Sequence, residues 1–219
     1  MPTARCFVFV TPDAQRTMMT FLGASTEITP DDVAPAIIGR AGILYIEGYL
    51  WDAPPAKAAV LKAIQAMRAS GGKVALTLSD SFCVERHRAE FLDLLDAHVD
   101  ILFANEAEIG ALYETDDFAA AATLAGKAVA VAALTRGPAG SVAIAGAERV
   151  ESPAEPVAKI VDTTGAGDLY AAGFLFGQAL GYDLAASARL GGLAAAEVIS
   201  HFGARPEQSL ADIARAHGL

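Results

Sequence analysis

Apolar and polar residues change their rhythm repeatedly along this chain, and the changes outline its elements. Residues 4–10 (ARCFVFV) and 17–22 (TMMTFL) read as two strands. Thr11-Pro12-Asp13 between them supplies turn chemistry, so the pair is predicted to be a hairpin. Thr29-Pro30-Asp31-Asp32 has the form of a helix start. ILYIEGYL reads as a buried strand running into a glycine-containing loop. Residues 54–69 repeat with helical period and stop at Gly71-Gly72. KVALTLS and VDILFA read as strands, and ERHRAEFLDLLDAH and NEAEIGALYE as helices. A helix near 116–125 leads into the strand AVAVAAL, and SVAIAG with the residues after it suggests a short antiparallel excursion. Two helices follow Gly165, and a last one lies near 207–216. Strands alternating with helices of this length imply parallel pairing through crossovers, hence an α/β fold with a three-layer α/β/α core. The opening hairpin breaks that rhythm and reads as an accessory flap.

Composition narrows the function. The chain has 219 residues, 53% of them hydrophobic, enough for one sizeable core. Its formal net charge of -10 argues against a nucleic-acid partner, which requires a basic face. The apolar stretch from Leu169 to Ile199 is interrupted by Gln178, Asp183, Arg189 and Glu197, and so reads as packed helices instead of a membrane span. Cys6 and Cys83 form no CxxC pair, and His87, His98, His201 and His217 are scattered, which argues against a zinc site. No signal peptide is recognised, so a reduced, cytoplasmic setting is expected.

The stretch VDTTGAGDLYAAGF, Val161 to Phe174, carries the candidate chemistry. A helix start leaves backbone N–H groups unpaired at the positive end of the peptide dipoles, which makes an anion site. Gly165 and Gly167 admit close approach of a ligand to the main chain, so Gly165-Ala166-Gly167 can present N–H groups to a phosphoryl group. Asp168 in the first turn is positioned to accept a proton from an attacking hydroxyl. An aspartate there also simply complements the helix dipole. There is no GxxxxGK[ST], and the place of a third glycine in GxGxxG is taken by Tyr170, which disfavours a dinucleotide-dependent oxidoreductase.

Asp162-Thr163-Thr164-Gly165-Ala166-Gly167-Asp168, followed by Ala172-Gly173, resembles the C-terminal signature of the ribokinase/PfkB family of sugar and nucleoside kinases. The resemblance implies a ribokinase-like sandwich with a mainly parallel sheet. It implies phosphorylation of a primary hydroxyl of a sugar or nucleoside by ATP with Mg2+. It makes Asp168 the general base and the amides of Gly165, Ala166, Gly167 and Asp168 the anion hole. Asn105-Glu106-Ala107-Glu108 resembles the family's N-x-x-E motif, in which Asn105 and Glu108 would organise the magnesium-water shell and the phosphates; the same residues also suit an N-cap with an acidic first turn. Thr135-Arg136-Gly137-Pro138-Ala139-Gly140-Ser141 resembles the family's nucleotide loop, with Thr135, Gly137 and Gly140 near the phosphates. Asp162 and Thr164 would adjoin a K+ site, with Gly203 in the closing segment. The helix from Gly191 to Ser200, with Ala195 among its small residues, would wall the adenine pocket.

Residues 1–24 resemble part of the family's lid and residues 25–219 its nucleotide-binding and catalytic part. Arg16-Thr17-Met18 and DSFCVERHR at 80–88 resemble the adenosine kinase-like branch, and Glu47 is expected at a strand end, facing the acceptor or solvent. The N-terminal third of the family has no counterpart here. The chain is therefore expected to be a fragment, to be completed by a missing N-terminal segment or a homodimer partner, or to act as a non-catalytic nucleotide binder.

Overall fold

A computed structural model describes residues 1–219. Strands β1 (Arg5–Val10) and β2 (Arg16–Phe21) pair antiparallel, Arg5 opposite Phe21 and Val10 opposite Arg16. The reversal is closed by Ala14 N–H donating to Thr11 O at 2.8 Å. Side chains alternate across a strand, so Phe7, Phe9, Met19 and Phe21 share one face. All four are exposed.

The second sheet has six strands in the order β3-β4-β5-β6-β7-β8: Ile43–Glu47, Lys73–Thr77, Ile101–Asn105, Val131–Thr135, Ser141–Ala145 and Glu148–Ser152. The β3–β4 and β4–β5 pairs are parallel. Only two residues join β7 to β8, a connection that antiparallel neighbours alone permit. The sheet is thus mixed but mostly parallel and is flanked by helices, as the alternating pattern requires.

The chain divides into two compact units: Met1–Thr3, Gly23–Leu134 and Ile144–Glu148 in one, and Ala4–Leu22, Thr135–Ala143 and Arg149–Leu219 in the other. In the first unit the helices are α1 (Pro35–Ile38), α2 (Pro54–Ala69), α3 (Ser81–His98), α4 (Glu106–Tyr113) and α5 (Phe118–Ala128). Proline in the first turn starts α2, where its missing N–H costs nothing. Asp80 and Asp117 cap α3 and α5 by accepting from first-turn amides. Val74, Ala75 and Leu76 on β4 are fully buried on successive positions, the mark of a strand covered on both faces. Ile64 and Met67 from α2, Phe91 and Leu95 from α3 and Ile109 and Leu112 from α4 complete this core.

Two expectations need refining here. Thr29-Pro30-Asp31-Asp32 starts only one 3-10 turn, Pro30–Asp32, capped mutually by Thr29 and Asp32, before Pro35 opens α1. After Glu47 the chain forms a 3-10 turn, Gly48–Asp52. The Gly48 amide leaves the strand ladder to donate to Ser79 Oγ at 2.8 Å.

In the second unit the helices are α6 (Ala166–Leu180), α7 (Leu184–Val198) and α8 (Leu210–Ala216). Three residues join α6 to α7, so the two run antiparallel. They cross closely: a Cβ on Gly173 would stand 2.5 Å from Leu190 O, and one on Gly191 would stand 2.7 Å from Tyr170 O. Phe174 is fully buried at this crossing. No helix is long and apolar enough to cross a membrane.

Candidate active site

The turn before α6 is held by Asp162. Its side chain is buried, 3% exposed. Oδ1 accepts from the Thr164 amide at 2.9 Å and the Thr164 hydroxyl at 2.6 Å, and Oδ2 accepts from the Gly203 amide at 3.1 Å. Burial alone would raise this carboxyl. The hydrogen bonds from Thr164 and Gly203, and the charge of Arg16, outweigh it and hold the group below the usual carboxylate range. Gly203 thus presents its N–H, not its carbonyl, to Asp162.

Chain direction then changes at Gly165, with φ 82°. This left-handed conformation favours glycine, and an added Cβ would lie 2.9 Å from Ala204 Cβ. Ala166 opens α6. The amides of Gly167 and Asp168 have no main-chain acceptor, as the first turn of a helix dictates. A Cβ on Gly167 would meet nothing within 4 Å, so this side of the turn is open. Asp168 is exposed in the same turn. The arrangement can bind an anion on the amides and hold a carboxylate beside it.

One contact at this turn was not foreseen from the sequence, which placed Arg16 only in a lid-like segment. Arg16, the sole charged residue of β2, donates from Nη1 to Thr163 Oγ1 at 2.7 Å.

Thr135 ends β6, and residues Gly137–Ala139 form a 3-10 turn. The Arg136 amide donates to Gly140 O at 2.7 Å, which closes the loop. Gly140 has φ 84°, and an added Cβ would lie 2.1 Å from Ser152 O. Gly140 is therefore required by the packing of this loop; Gly137 stands exposed over open space, and its φ of 54° still favours glycine. A separate cavity of about 250 Å3 is lined by Val157, Ala158, Leu193, Ala196, Glu197 and Gln208, among others. Its small-residue wall comes from Ala196 of α7; Ala195 does not line it. Glu197 is buried, and its Oε1 accepts from the Glu207 and Gln208 amides at 2.9 Å each, which ties the following segment to the end of α7.

In the other unit, Asn105 and Glu108 form a mutual capping box on α4. Asn105 Oδ1 accepts from the Glu108 amide at 2.9 Å, Glu108 Oε2 accepts from the Asn105 amide at 2.9 Å, and Asn105 Nδ2 donates to Glu108 Oε1 at 2.7 Å. The N-cap reading of this motif is thus present in full. Glu47, half-buried at the end of β3, accepts from Ser79 Oγ at 3.0 Å.

Burial pushes the Glu108 carboxyl up to about 7; the Asn105 amide opposes this, and the charges of Asp80 and Glu47 add to it. An acid with a folded-state value above its unfolded one favours folding while protonated. The contribution is present in full below about pH 4.5, the unfolded value, and is lost as pH rises through about 7. Glu108→Gln, which cannot ionise, is expected to flatten the decline in urea midpoint across that window. Parallel pH profiles for parent and variant would contradict the assignment.

The chain is 50% identical to the adenosine kinase of Sinorhizobium meliloti, whose structure matches with a TM-score of 0.96 over 99% of this chain and 66% of that one. It is 34% identical over 140 residues to the cytidine kinase of Thermococcus kodakarensis, covering 62% of this chain and 50% of that protein. Ribokinase from Thermotoga maritima, 21% identical, shares the fold with a TM-score of 0.77 over 98% of this chain and 70% of that one. The chain therefore spans half to about two thirds of the two more similar proteins. The family model described as pfkB family carbohydrate kinase matches residues 1–210, and the chain belongs to that family.

Proposed function

We propose that the protein is an ATP-dependent phosphotransferase acting on a primary hydroxyl of a nucleoside, adenosine first among candidates, or of a related sugar. The observation that carries this reading is the turn Asp162–Asp168, which joins unpaired amides, open space and an exposed carboxylate. The likeness to adenosine and cytidine kinases supports a nucleoside acceptor.

In this reading the loop at 135–141 and the cavity beside α7 hold ATP. The amides of Gly167 and Asp168 meet the charge that develops on the transferring phosphoryl group, whereas the Ala166 amide is already bonded to Thr163 O at 3.3 Å. Asp168 accepts the proton of the attacking hydroxyl. Arg16 adds a positive charge at the same turn. Magnesium, when bound, supplies charge neutralisation across the β- and γ-phosphates. Glu108 and Asn105 would hold its water shell, and the buried carboxylate of Glu108 fits that task once ionised. Asp162 and Thr164, hydrogen-bonded to each other, would adjoin a potassium ion beside the turn, with Asp162 as counter-charge. The hairpin of residues 1–24 would serve as lid surface over the acceptor.

An ADP-release assay with Mg-ATP and adenosine, cytidine or ribose tests the proposal, with calorimetry on ATP alone in parallel. Acceptor-dependent ADP formation is expected. Saturable ATP binding with no ADP from any acceptor would instead assign this chain as a nucleotide-binding part of the longer protein. No ATP binding would overturn both readings.

A further inference from the structure

We propose that Asp52, Cys83 and His87 form a binding site for a zinc-class divalent ion. The Cys83 thiol, a ring nitrogen of His87 and a carboxylate oxygen of Asp52 all lie within 4.8 Å of one another. Zinc holds sulfur at about 2.3 Å and nitrogen or oxygen at about 2.0–2.2 Å, so donors of one tetrahedron stand roughly 3.3–3.8 Å apart. Asp52 Oδ1 and His87 Nε2 start at 2.8 Å, and the set needs only small movements to close on an ion.

The sequence builds the site from two elements of one unit. Cys83 and His87 are four residues apart on α3 and so share a face. The helix departs from helical dihedrals at His87, with φ -121° and ψ 18°. Asp52 ends the 3-10 turn Gly48–Asp52. Scattered histidines had argued against zinc; the C-x-x-x-H spacing within α3 is the signal they concealed.

The donor set selects the ion. Thiolate, imidazole and a single carboxylate suit zinc or cobalt, whereas magnesium demands an octahedron of oxygens. Cys83 is buried, His87 is half-buried and Asp52 is exposed, which leaves a solvent side for a water as fourth ligand. Trp51 and Phe91, with ring centroids 5.8 Å apart, and the edge of Phe91 against His87 make an apolar wall. Arg86 now balances Asp52 through Nε at 3.1 Å and Nη2 at 2.8 Å. A bound ion takes over that role, and the Cys83 thiol proton leaves to water. Occupancy ties the Gly48–Asp52 turn to α3.

The test is cobalt titration of the tag-free chain carrying Cys6→Ser, which removes the exposed thiol of the hairpin. One equivalent is expected, with a sulfur-to-cobalt charge-transfer band, visible bands of a four-coordinate ion, and a change in the emission of the single tryptophan, all reversed by zinc. Cys83→Ser should lose the charge-transfer band. Asp52→Asn should weaken binding at least about tenfold, in line with the usual cost of disturbing a metal site. Arg86→Gln should tighten it by removing the competing cation, an effect that a purely structural role for Arg86 would not produce. Absence of the charge-transfer band in the parent, or its survival in Cys83→Ser, would overturn the site. Should Cys83→Ser fail to fold, Asp52→Asn decides: unchanged affinity there rejects the proposal.

Discussion

Asp168→Asn is expected to leave Mg-ATP binding nearly unchanged while ADP formation falls at least about a hundredfold, since removing a general base costs roughly 10²–10⁴ in rate. Asparagine keeps the size of aspartate and a polar side chain in the first turn of α6. What it lacks is an oxygen able to take the acceptor's proton. Because Asp168 is exposed and borders the unpaired amides, the substitution touches chemistry without disturbing the core. Calorimetry and a coupled ADP assay on the same preparation separate the two effects. Turnover within tenfold of the parent would remove Asp168 from the catalytic role.

Gly165→Ala should damage both stability and turnover. Its φ of 82° costs a side-chain-bearing residue about 1–2 kcal/mol. The new Cβ would also lie 2.9 Å from Ala204 Cβ and 3.0 Å from Ala204 Cα, a clash that no rotamer relieves. The turn must shift, and the amides it aims must shift with it. Displacing one preorganised donor costs on the order of 10²–10³ in kcat. Gly167→Ala is the control: its Cβ meets nothing in the fold, so the melting temperature should hold and only nucleotide affinity should fall. Thermal melts with ADP assays on both variants check the contrast. A Gly165→Ala protein as stable and active as the parent would refute this account of the turn.

Much of the architecture was legible because period and punctuation agreed. The helix expected over 54–69 coincides with α2, bounded by Pro54 and by the glycines after Ser70. The hairpin and the alternation of strand and helix were equally plain, since each strand is short, apolar and flanked by turn residues. ILYIEGYL was less so, because its apolar run continues past the point where Gly48 leaves the sheet to bond Ser79. At the site, the glycines and Asp168 announced themselves through local chemistry. The meeting of Arg16 with Thr163 did not, because the two lie 147 positions apart and no local pattern reports it. Asp52 was hidden from Cys83 and His87 for the same reason. Which of Ala195 and Ala196 lines the cavity beside α7 depends on the rotation of that helix, which a run of alanines does not encode.

The close crossing of α6 and α7 has a further consequence. The anion-binding turn begins α6, and the cavity-lining Ala196 and Glu197 stand near the end of α7, which runs the opposite way. At Gly173 and Gly191 the two helices approach so closely that a Cβ would meet backbone atoms of the other helix. Turn and cavity are therefore mounted on a single gauge, and in the proposed function a nucleotide would be measured between its two marks. A methyl group added at Gly173 would change that gauge without touching any ligand, and would move both marks at once.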